Sequence, residues 1–276
     1  MDYKDFKIID SHCHIFPDKI AQKATDSIDI FYGISETGVT DVCGFVGNAK
    51  TLIKQCDSVG VNKCLVTSVA TTPHHAQSIN SFIASEVELF PDRFIGFGSL
   101  HPDSESLEED AEHLVELGLK GVKLHPDIQN FRVDDPKVVK IFEICNKKKL
   151  PVLLHTGDSR YDNSNPNRVE KILIMFPDLT IIGAHFGGWS IWDKAPEILS
   201  KYKNLYVDTC SSFYALSKER AREIIDLYGT ERVIFGTDFP MWKQDEELEF
   251  LFDLGLNENE LKNILYNNLA KLLNIE

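Results

Sequence analysis

The stretch IIDSHCH at residues 8–14 places two histidines two positions apart at the end of an apolar, β-branched run. Side chains alternate between the two faces of a strand, so Asp10, His12 and His14 are expected to share one face. With a rise of about 3.3 Å per residue, both imidazoles can reach one divalent ion at about 2.1 Å per bond. The stretch therefore predicts a first strand that ends in metal ligands. The alternative is that both are chance surface histidines at the end of a strand, and only the rest of the chain can exclude it.

Apolar stretches of strand length recur along the chain, separated by segments of helical length or periodicity. With the first, the predicted strands cover residues 8–14, 63–70, 93–100, 121–125, 151–155, 179–185, 205–209 and 232–238. Nearly all-apolar strands that alternate with helices indicate a parallel sheet covered on both sides. Eight such units predict an α/β fold, a single-domain (β/α)8 TIM barrel over residues 1–276 with its active site at the C-terminal rim.

Composition excludes several classes of partner. The 29 basic and 43 acidic side chains give a net charge of −14, which disfavours binding to a nucleic acid backbone. The sequence shows neither a run of about 18 apolar residues nor an apolar signal region at its start, so we expect a cytoplasmic protein that does not enter membranes. The six cysteines are scattered without a C-x-x-C pair, which suggests reduced thiols rather than a redox or zinc-ribbon motif.

Residues 16–47 form a long irregular segment with several glycines, in which no helix or strand is predicted. A loop of this length on the active face of a barrel commonly covers or shapes a pocket. A lid and an ordered surface excursion are both compatible with this sequence.

Polar residues that can bind metals fall at the carboxyl ends of the predicted strands. They are His12 and His14 after strand one, Lys123 and His125 after strand four, His155 after strand five, His185 after strand six and Asp238 after strand eight. Because these ends meet at one rim of a parallel barrel, side chains that are remote in sequence are expected to lie together in space. The sequence thus predicts an active site at this rim.

Six short motifs carry a family resemblance. They are D-x-H-x-H at residues 10–14, KLHP at 123–126, HTG at 155–157, AHFGG at 184–188, GTDFP at 236–240 and LYNNLA at 265–270. With these motifs the chain resembles the amidohydrolase superfamily, in the family 2 branch of metal-dependent hydrolases that are similar to amino-carboxymuconate-semialdehyde decarboxylase. The resemblance implies that His12, His14, His155 and Asp238 bind one divalent metal, usually zinc, and that His185 contacts the metal-bound water or the substrate.

The chemistry of these donors agrees with a catalytic site. Three imidazoles and one carboxylate suit zinc and leave a coordination position open for water. Zinc lowers the pKa of bound water toward about 7, and Asp238 or His185 can then accept and return a proton. We therefore expect both residues to be catalytic.

Three further residues are expected to contact the substrate. Lys123 could bridge two metals as a carbamylated lysine, but the resemblance favours a single ion. Lys123 and His125 are therefore expected to hold an anionic substrate group, unless backbone hydrogen bonds simply hold them at the rim. Arg160 could bind a substrate carboxylate with two hydrogen bonds, or pair with Asp158 or Asp162 on the surface.

The expected function is a metal-dependent hydrolase that attacks an amide, ester or lactone carbonyl of a small carboxylate-bearing substrate. The alternative is a non-oxidative decarboxylase that uses the same mononuclear metal site. A third interpretation is a ligand-binding or regulatory barrel that retains the metal, although His185 beside the metal argues against it. A homodimer is compatible with an enzyme of this class.

Overall fold

The computed structural model describes residues 2–32 and 45–275, and its strands form two sheets that together make one barrel. The strands are β1 Ile9–His14, β2 Lys63–Thr67, β3 Phe94–Gly96, β4 Gly98–Ser99, β5 Val122–Leu124, β6 Val152–Leu154, β7 Ile181–Gly183, β8 Leu205–Asp208 and β9 Val233–Ile234. One sheet has the order β1-β2-β3, the other runs from β4 to β9, and all these neighbours pair in parallel.

Backbone hydrogen bonds close the two sheets into a ring. The predicted third strand is interrupted at Phe97, which lies between β3 and β4. The Phe97 N–H donates to the Val66 carbonyl at 3.0 Å, and this bond links β2 to the chain between the two sheets. On the other side, the Ser11 N–H donates to the Phe235 carbonyl at 2.9 Å, which links β1 to the chain after β9. The predicted (β/α)8 barrel is therefore confirmed, with β3 and β4 as two parts of one predicted strand.

Helices follow the strands and cover the outside of the barrel. They are α1 Ala21–Tyr32, α2 Ala49–Val59, α3 Ala76–Leu89, α4 Leu107–Glu116, α5 Pro136–Lys148, α6 Pro166–Met175, α7 Ala195–Leu199, α8 Lys218–Tyr228, α9 Gln244–Phe252, α10 Glu258–Lys262 and α11 Asn268–Leu273. Local sequence sets their ends: the Asn257 side chain accepts hydrogen bonds from the first turn of α10, and the Asn257 N–H donates to the Glu260 carboxylate. In the described ranges no helix is both long and apolar enough to cross a membrane.

A buried apolar cluster fills the inside of the barrel. Its members come from alternate positions of the strands and from α11, and include Ile9, Leu65, Phe97, Leu153, Ile182, Ile234, Leu269 and Leu273. Because strand side chains alternate, the other strand residues pack outward against the helices in a second, larger cluster. The barrel is thus a packed core rather than a pore, which leaves its rim as the place for a site.

A register shift in β1 changes the expected alternation. Asp10 pairs with Cys64 and Cys13 with Val66, so one extra residue of β1 lies between them. The Asp10 carboxylate accepts hydrogen bonds from Thr237 Oγ1 at 2.6 Å and from Gln244 Nε2 at 2.8 Å. Asp10 therefore ties the first strand to the segment after the last strand and to α9, rather than supporting the His12 ring.

Three cysteines that are distant in sequence meet behind β1. Cys56 Sγ lies 3.1 Å from Cys64 Sγ, and the donor atoms of Cys13, Cys64 and Asp10 lie within 4.8 Å of one another. Burial raises the pKa of the Cys13 and Cys64 thiols well above the usual value. This grouping of buried thiols follows from the barrel topology, since the cysteine spacing alone gives no sign of it.

The segment at 16–47 contains a helix that the sequence interpretation missed. α1 occupies residues 21–32, and Ile20, Ala24, Ile28 and Phe31 recur at helical spacing along the side that lines a cavity. Polar residues between them conceal this short apolar stripe. Residues 33–44 lie outside the described ranges, so the lid role stays a prediction.

The two faces of α6 give a matched test of the core. Ile172 is fully buried, whereas Ile174, two residues later, is 62% exposed. We expect Ile172→Ala to lower the free energy of unfolding by about 2–4 kcal/mol, because it opens a cavity between helix and barrel. Ile174→Ala should change it by less than about 0.5 kcal/mol. Urea denaturation followed by circular dichroism measures both, and equal losses would contradict this assignment of faces.

Candidate metal centre

Two histidines and one carboxylate converge at the rim of the barrel. His12 Nε2 lies 3.2 Å from His14 Nε2, and Asp238 Oδ1 lies 3.1 Å from His14 Nε2 and 3.5 Å from His12 Nε2. Ligand atoms held about 2.1 Å from one tetrahedral ion stand roughly 3.4 Å apart. The three donor atoms are therefore spaced as the ligands of a single ion are.

Asp208, the last residue of β8, fixes the tautomer of His12. Its Oδ2 lies 2.9 Å from His12 Nδ1, and because a carboxylate only accepts, Nδ1 carries the proton and Nε2 the lone pair. Burial alone would raise the pKa of Asp208, but His12, His185 and the Cys210 thiol together lower this pKa below the usual value. Sequence reasoning missed Asp208, although it stands at the carboxyl end of a strand like the other rim residues.

His155 and His185 form a second pair of facing imidazoles. His185 Nδ1 donates to the Cys210 carbonyl at 3.1 Å, so His185 Nε2 carries a lone pair. His155 Nε2 faces Asp127 Oδ2 at 3.4 Å without making a hydrogen bond, and both atoms are buried without a partner. A carboxylate only accepts, so this pair favours a proton on His155 Nε2 and a lone pair on Nδ1. That Nδ1 is 2.9 Å from His185 Nε2, and two lone pairs at this distance repel unless a cation or a shared proton lies between them.

The residues thus fit a divalent ion. Burial lowers the pKa of His14 to about 4 and those of His155 and His185 to about 3, so these imidazoles are neutral at pH 7 as ligation requires. Nitrogen and carboxylate donors together suit first-row divalent metals such as zinc and manganese. His12, His14, His155, His185 and Asp238 all line one cavity of about 650 Å³.

Backbone strain is concentrated at two of these residues. His185 and Asp238 both have φ of 60°, in the left-handed region that side chains other than glycine rarely adopt. Such a conformation costs on the order of 1–3 kcal/mol, and it persists where surrounding structure imposes it. At Asp238, Ser211 Oγ donates to Oδ2 at 2.7 Å and so leaves Oδ1 facing the two β1 histidines. The strained backbone conformation of Asp238 thus occurs where its carboxylate points toward the two histidines.

Lys123 and His125 lie closer to the metal centre than the sequence interpretation assumed. Lys123 is fully buried with Nζ 2.8 Å from His12 Nε2, and burial lowers its pKa. The His125 ring stacks on His155 with 3.9 Å between centroids, and its Nε2 is 2.6 Å from the Tyr32 hydroxyl. Lys123 therefore borders the donor atoms directly, whereas His125 already has a partner.

Arg160 does not line the described cavity. Its Nη2 donates to Asp158 Oδ2 at 2.8 Å and its Nη1 to the Phe31 carbonyl at 2.8 Å. These contacts agree with the alternative in which Arg160 pairs with Asp158. They also attach the end of α1 to the loop after β6.

The cavity is mostly apolar away from the candidate metal centre. Its wall there includes the apolar residues Phe16, Ile20, Ile28, Phe31, Val69, Ile79, Phe82 and Ile128, with serine, threonine and histidine side chains between them. A few polar groups at one end of an apolar pocket fix the orientation of a small ligand. The arrangement can accept a molecule with a polar head and an apolar body.

Removal of a donor tests the centre. We expect the chain to bind one Mn²⁺ or Zn²⁺ after chelator treatment, and His12→Ala to weaken that binding at least 100-fold because one lone pair and its Asp208 contact are lost. His113→Ala is the matched control, because His113 lies in α4 beside Ser81 and away from the rim. Isothermal titration calorimetry gives stoichiometry and affinity, and identical binding by both variants would contradict the assignment.

The contact from Asp208 generates a separate prediction. In Asp208→Asn the amide can present N–H groups to His12 Nδ1, so the tautomer that exposes the Nε2 lone pair is no longer enforced. We expect metal affinity to fall about 10–100-fold with the fold retained. Asp226→Asn, on the exposed side of α8, serves as the control. Unchanged affinity in Asp208→Asn would show that Asp208 does not orient His12.

Residues 9–275 match the family model Amidohydro_2, described as Amidohydrolase. The 2-amino-3-carboxymuconate-6-semialdehyde decarboxylase of Dictyostelium discoideum is 26% identical over 203 residues, which are 60% of this chain and 56% of that protein. The match thus spans little more than half of this curated relative.

Solved structures share the fold over nearly the full chain. The 5-carboxyvanillate decarboxylase of Sphingomonas paucimobilis gives a TM-score of 0.77 at 17% identity, covering 98% of this chain and 100% of that one. A dihydroxybenzoic acid decarboxylase of a Polaromonas species, with bound manganese, gives 0.72 at 16% identity, covering 98% and 97%. These likenesses establish the TIM barrel, and the family match shows that the chain belongs to the Amidohydro_2 family.

Proposed function

We propose that this chain is a metal-dependent, non-oxidative decarboxylase of a small carboxylic acid. The observation that carries the proposal is the convergence of His12, His14 and Asp238, with His155 and His185 beside them, in a cavity whose remaining wall is mostly apolar. The named relatives support decarboxylation over the hydrolysis expected from the sequence, because all three are named as decarboxylases.

The reaction makes two demands on the site. A substrate R–COO⁻ loses CO2, the electron pair of the broken carbon–carbon bond stays on R, and a proton then forms R–H. A divalent ion held by His12, His14, His155 and Asp238 would supply positive charge to bind the substrate's oxygens and to stabilise the developing negative charge. The buried amine of Lys123 lies beside the same donor atoms and can hold a substrate carboxylate there.

His185 is our proposed proton-transfer residue. Its ring is held by the bond from Nδ1 to the Cys210 carbonyl, and Trp192 Nε1 donates to its backbone carbonyl at 3.1 Å. Nε2 is therefore the nitrogen that can take up a proton from solvent and pass it to the substrate carbon. Asp238, held by Ser211 and the two β1 histidines, is better placed as a ligand, and we assign proton transfer to it only as the second choice.

One divalent ion is proposed, and the sequence expectation of zinc is extended to manganese. The donor set suits both metals, and the manganese in the Polaromonas decarboxylase belongs to that protein. A second ion through a carbamylated Lys123 is not part of the proposal, because the Lys123 amine already contacts His12 Nε2.

Hydrolysis of an amide, ester or lactone is the second candidate. The description of the family as Amidohydrolase favours it, and the same donor set could serve both reactions. Membership of an enzyme superfamily argues against the ligand-binding interpretation. The two reactions differ in where water atoms go, since decarboxylation places a solvent proton on carbon and hydrolysis places a solvent oxygen in the product.

Isotope labelling separates the two candidates. The manganese- or zinc-loaded chain is given a panel of hydroxylated aromatic carboxylic acids, lactones and amides, in D2O or in ¹⁸O-labelled water. We expect CO2 release with deuterium on the product carbon, and we expect His185→Gln to lower kcat by about 10²–10⁴-fold without loss of metal. His113→Gln is the control. Incorporation of ¹⁸O into the product without CO2 would establish the hydrolase instead.

A further inference from the structure

Tyr32, at the end of α1, places a phenol at the metal centre that none of the strand motifs predicts. Its ring lines the main cavity and also an adjoining recess formed with His185, Trp189 and Asp238. Its hydroxyl lies 2.6 Å from His125 Nε2. The question that decides its role is which of the two groups supplies the hydrogen in this bond.

The backbone around His125 answers that question. The Ile128 N–H donates to His125 Nδ1 at 3.3 Å, and a ring nitrogen that accepts an N–H has to carry a lone pair. The neutral imidazole then has its proton on Nε2, so Nε2–H donates to the Tyr32 oxygen. Tyr32 is consequently the acceptor, and among the residues that the structure describes no other group accepts its O–H, which can then donate to a ligand.

Several contacts hold the Tyr32 ring in place. Its centroid is 5.2 Å from that of Trp189 in an edge-on arrangement, and the Arg160 guanidinium lies 5.5 Å above it. Arg160 also binds the Phe31 carbonyl, which anchors the last turn of α1 to the loop after β6. The hydroxyl is therefore fixed although it stands at a helix end.

From this geometry we propose that Tyr32 donates a hydrogen bond to a substrate oxygen that gains negative charge in the reaction, with His125 setting the direction of the bond. The inference rests on the proposed function for the reaction, and it narrows the substrate to an acid with a second oxygen near the carboxyl group, such as a hydroxyl or carbonyl. In this proposal the carboxyl group would lie beside Lys123 and the candidate metal ligands, and the apolar body would lie among cavity residues such as Ile28 and Ile79.

The direction of the bond can be measured without any substrate. In the zinc-loaded chain, ¹⁵N labelling of histidine reports which ring nitrogen carries hydrogen, and comparison with His125→Gln assigns the signal. We expect His125 with hydrogen on Nε2 and a lone pair on Nδ1. A proton on Nδ1 alone would make Tyr32 the donor to His125 and would overturn the proposal, whatever the enzyme's substrate is.

Kinetics then test the contact with substrate. Tyr32→Phe keeps the ring and its packing but lacks the hydroxyl, and we expect it to lower kcat about 10²–10³-fold with KM changed less than threefold and metal content unchanged. Tyr161→Phe is the matched control, because Tyr161 packs on Phe31 and Arg160 but does not line the cavity. Wild-type kcat in Tyr32→Phe would overturn the proposal. Failure of every acid in the panel would refute the proposed decarboxylation, while the tautomer measurement would still decide the role of Tyr32.

Discussion

The candidate metal centre depends on the polar groups at the far side of three imidazoles. Asp208 holds the Nδ1 proton of His12, the Cys210 carbonyl holds that of His185, and the Asp127 carboxylate faces Nε2 of His155. Each of these groups favours a proton on the nitrogen that it faces and a lone pair on the opposite nitrogen. Without these partners an imidazole could present either a donor or an acceptor, and a set of neutral rings would not bind a cation reliably. The strands determine where the imidazole rings lie, and the partners determine which ring nitrogen carries the proton and which carries the lone pair.

The sequence was sufficient for the barrel and for the position of the candidate ligands because both depend on short-range patterns. Apolar strands that alternate with helices determine a parallel barrel, and residues at strand ends then have to meet at one rim. Asp208 was missed because a single aspartate at the end of a strand resembles any other, and its role appears only when β8 lies beside β1. The turn of Asp10 away from the His12 ring follows from an irregular register in β1, which strict alternation does not describe.

The end of α1 was also beyond the reach of the sequence. Its apolar residues are short, spaced and interrupted by polar ones, so the helix gave a weak signal within a long irregular segment. Tyr32 becomes informative only through His125, Trp189 and Arg160, which belong to three separate loops or strands. The contrast has a physical reason: strand ends are brought together by backbone pairing that the pattern predicts, whereas a helix lying over the rim is placed by side-chain contacts.

The tie between Asp10, Thr237 and Gln244 joins the beginning of the chain to its end. The candidate ligands straddle the same seam, with His12 and His14 on the first strand and Asp238 after the last. The donor set therefore cannot be assembled during synthesis until the chain as far as Asp238 has left the ribosome. Binding of an ion at this site would in this way be coupled to closure of the barrel, and a chain cut before Asp238 would hold only part of the donor set.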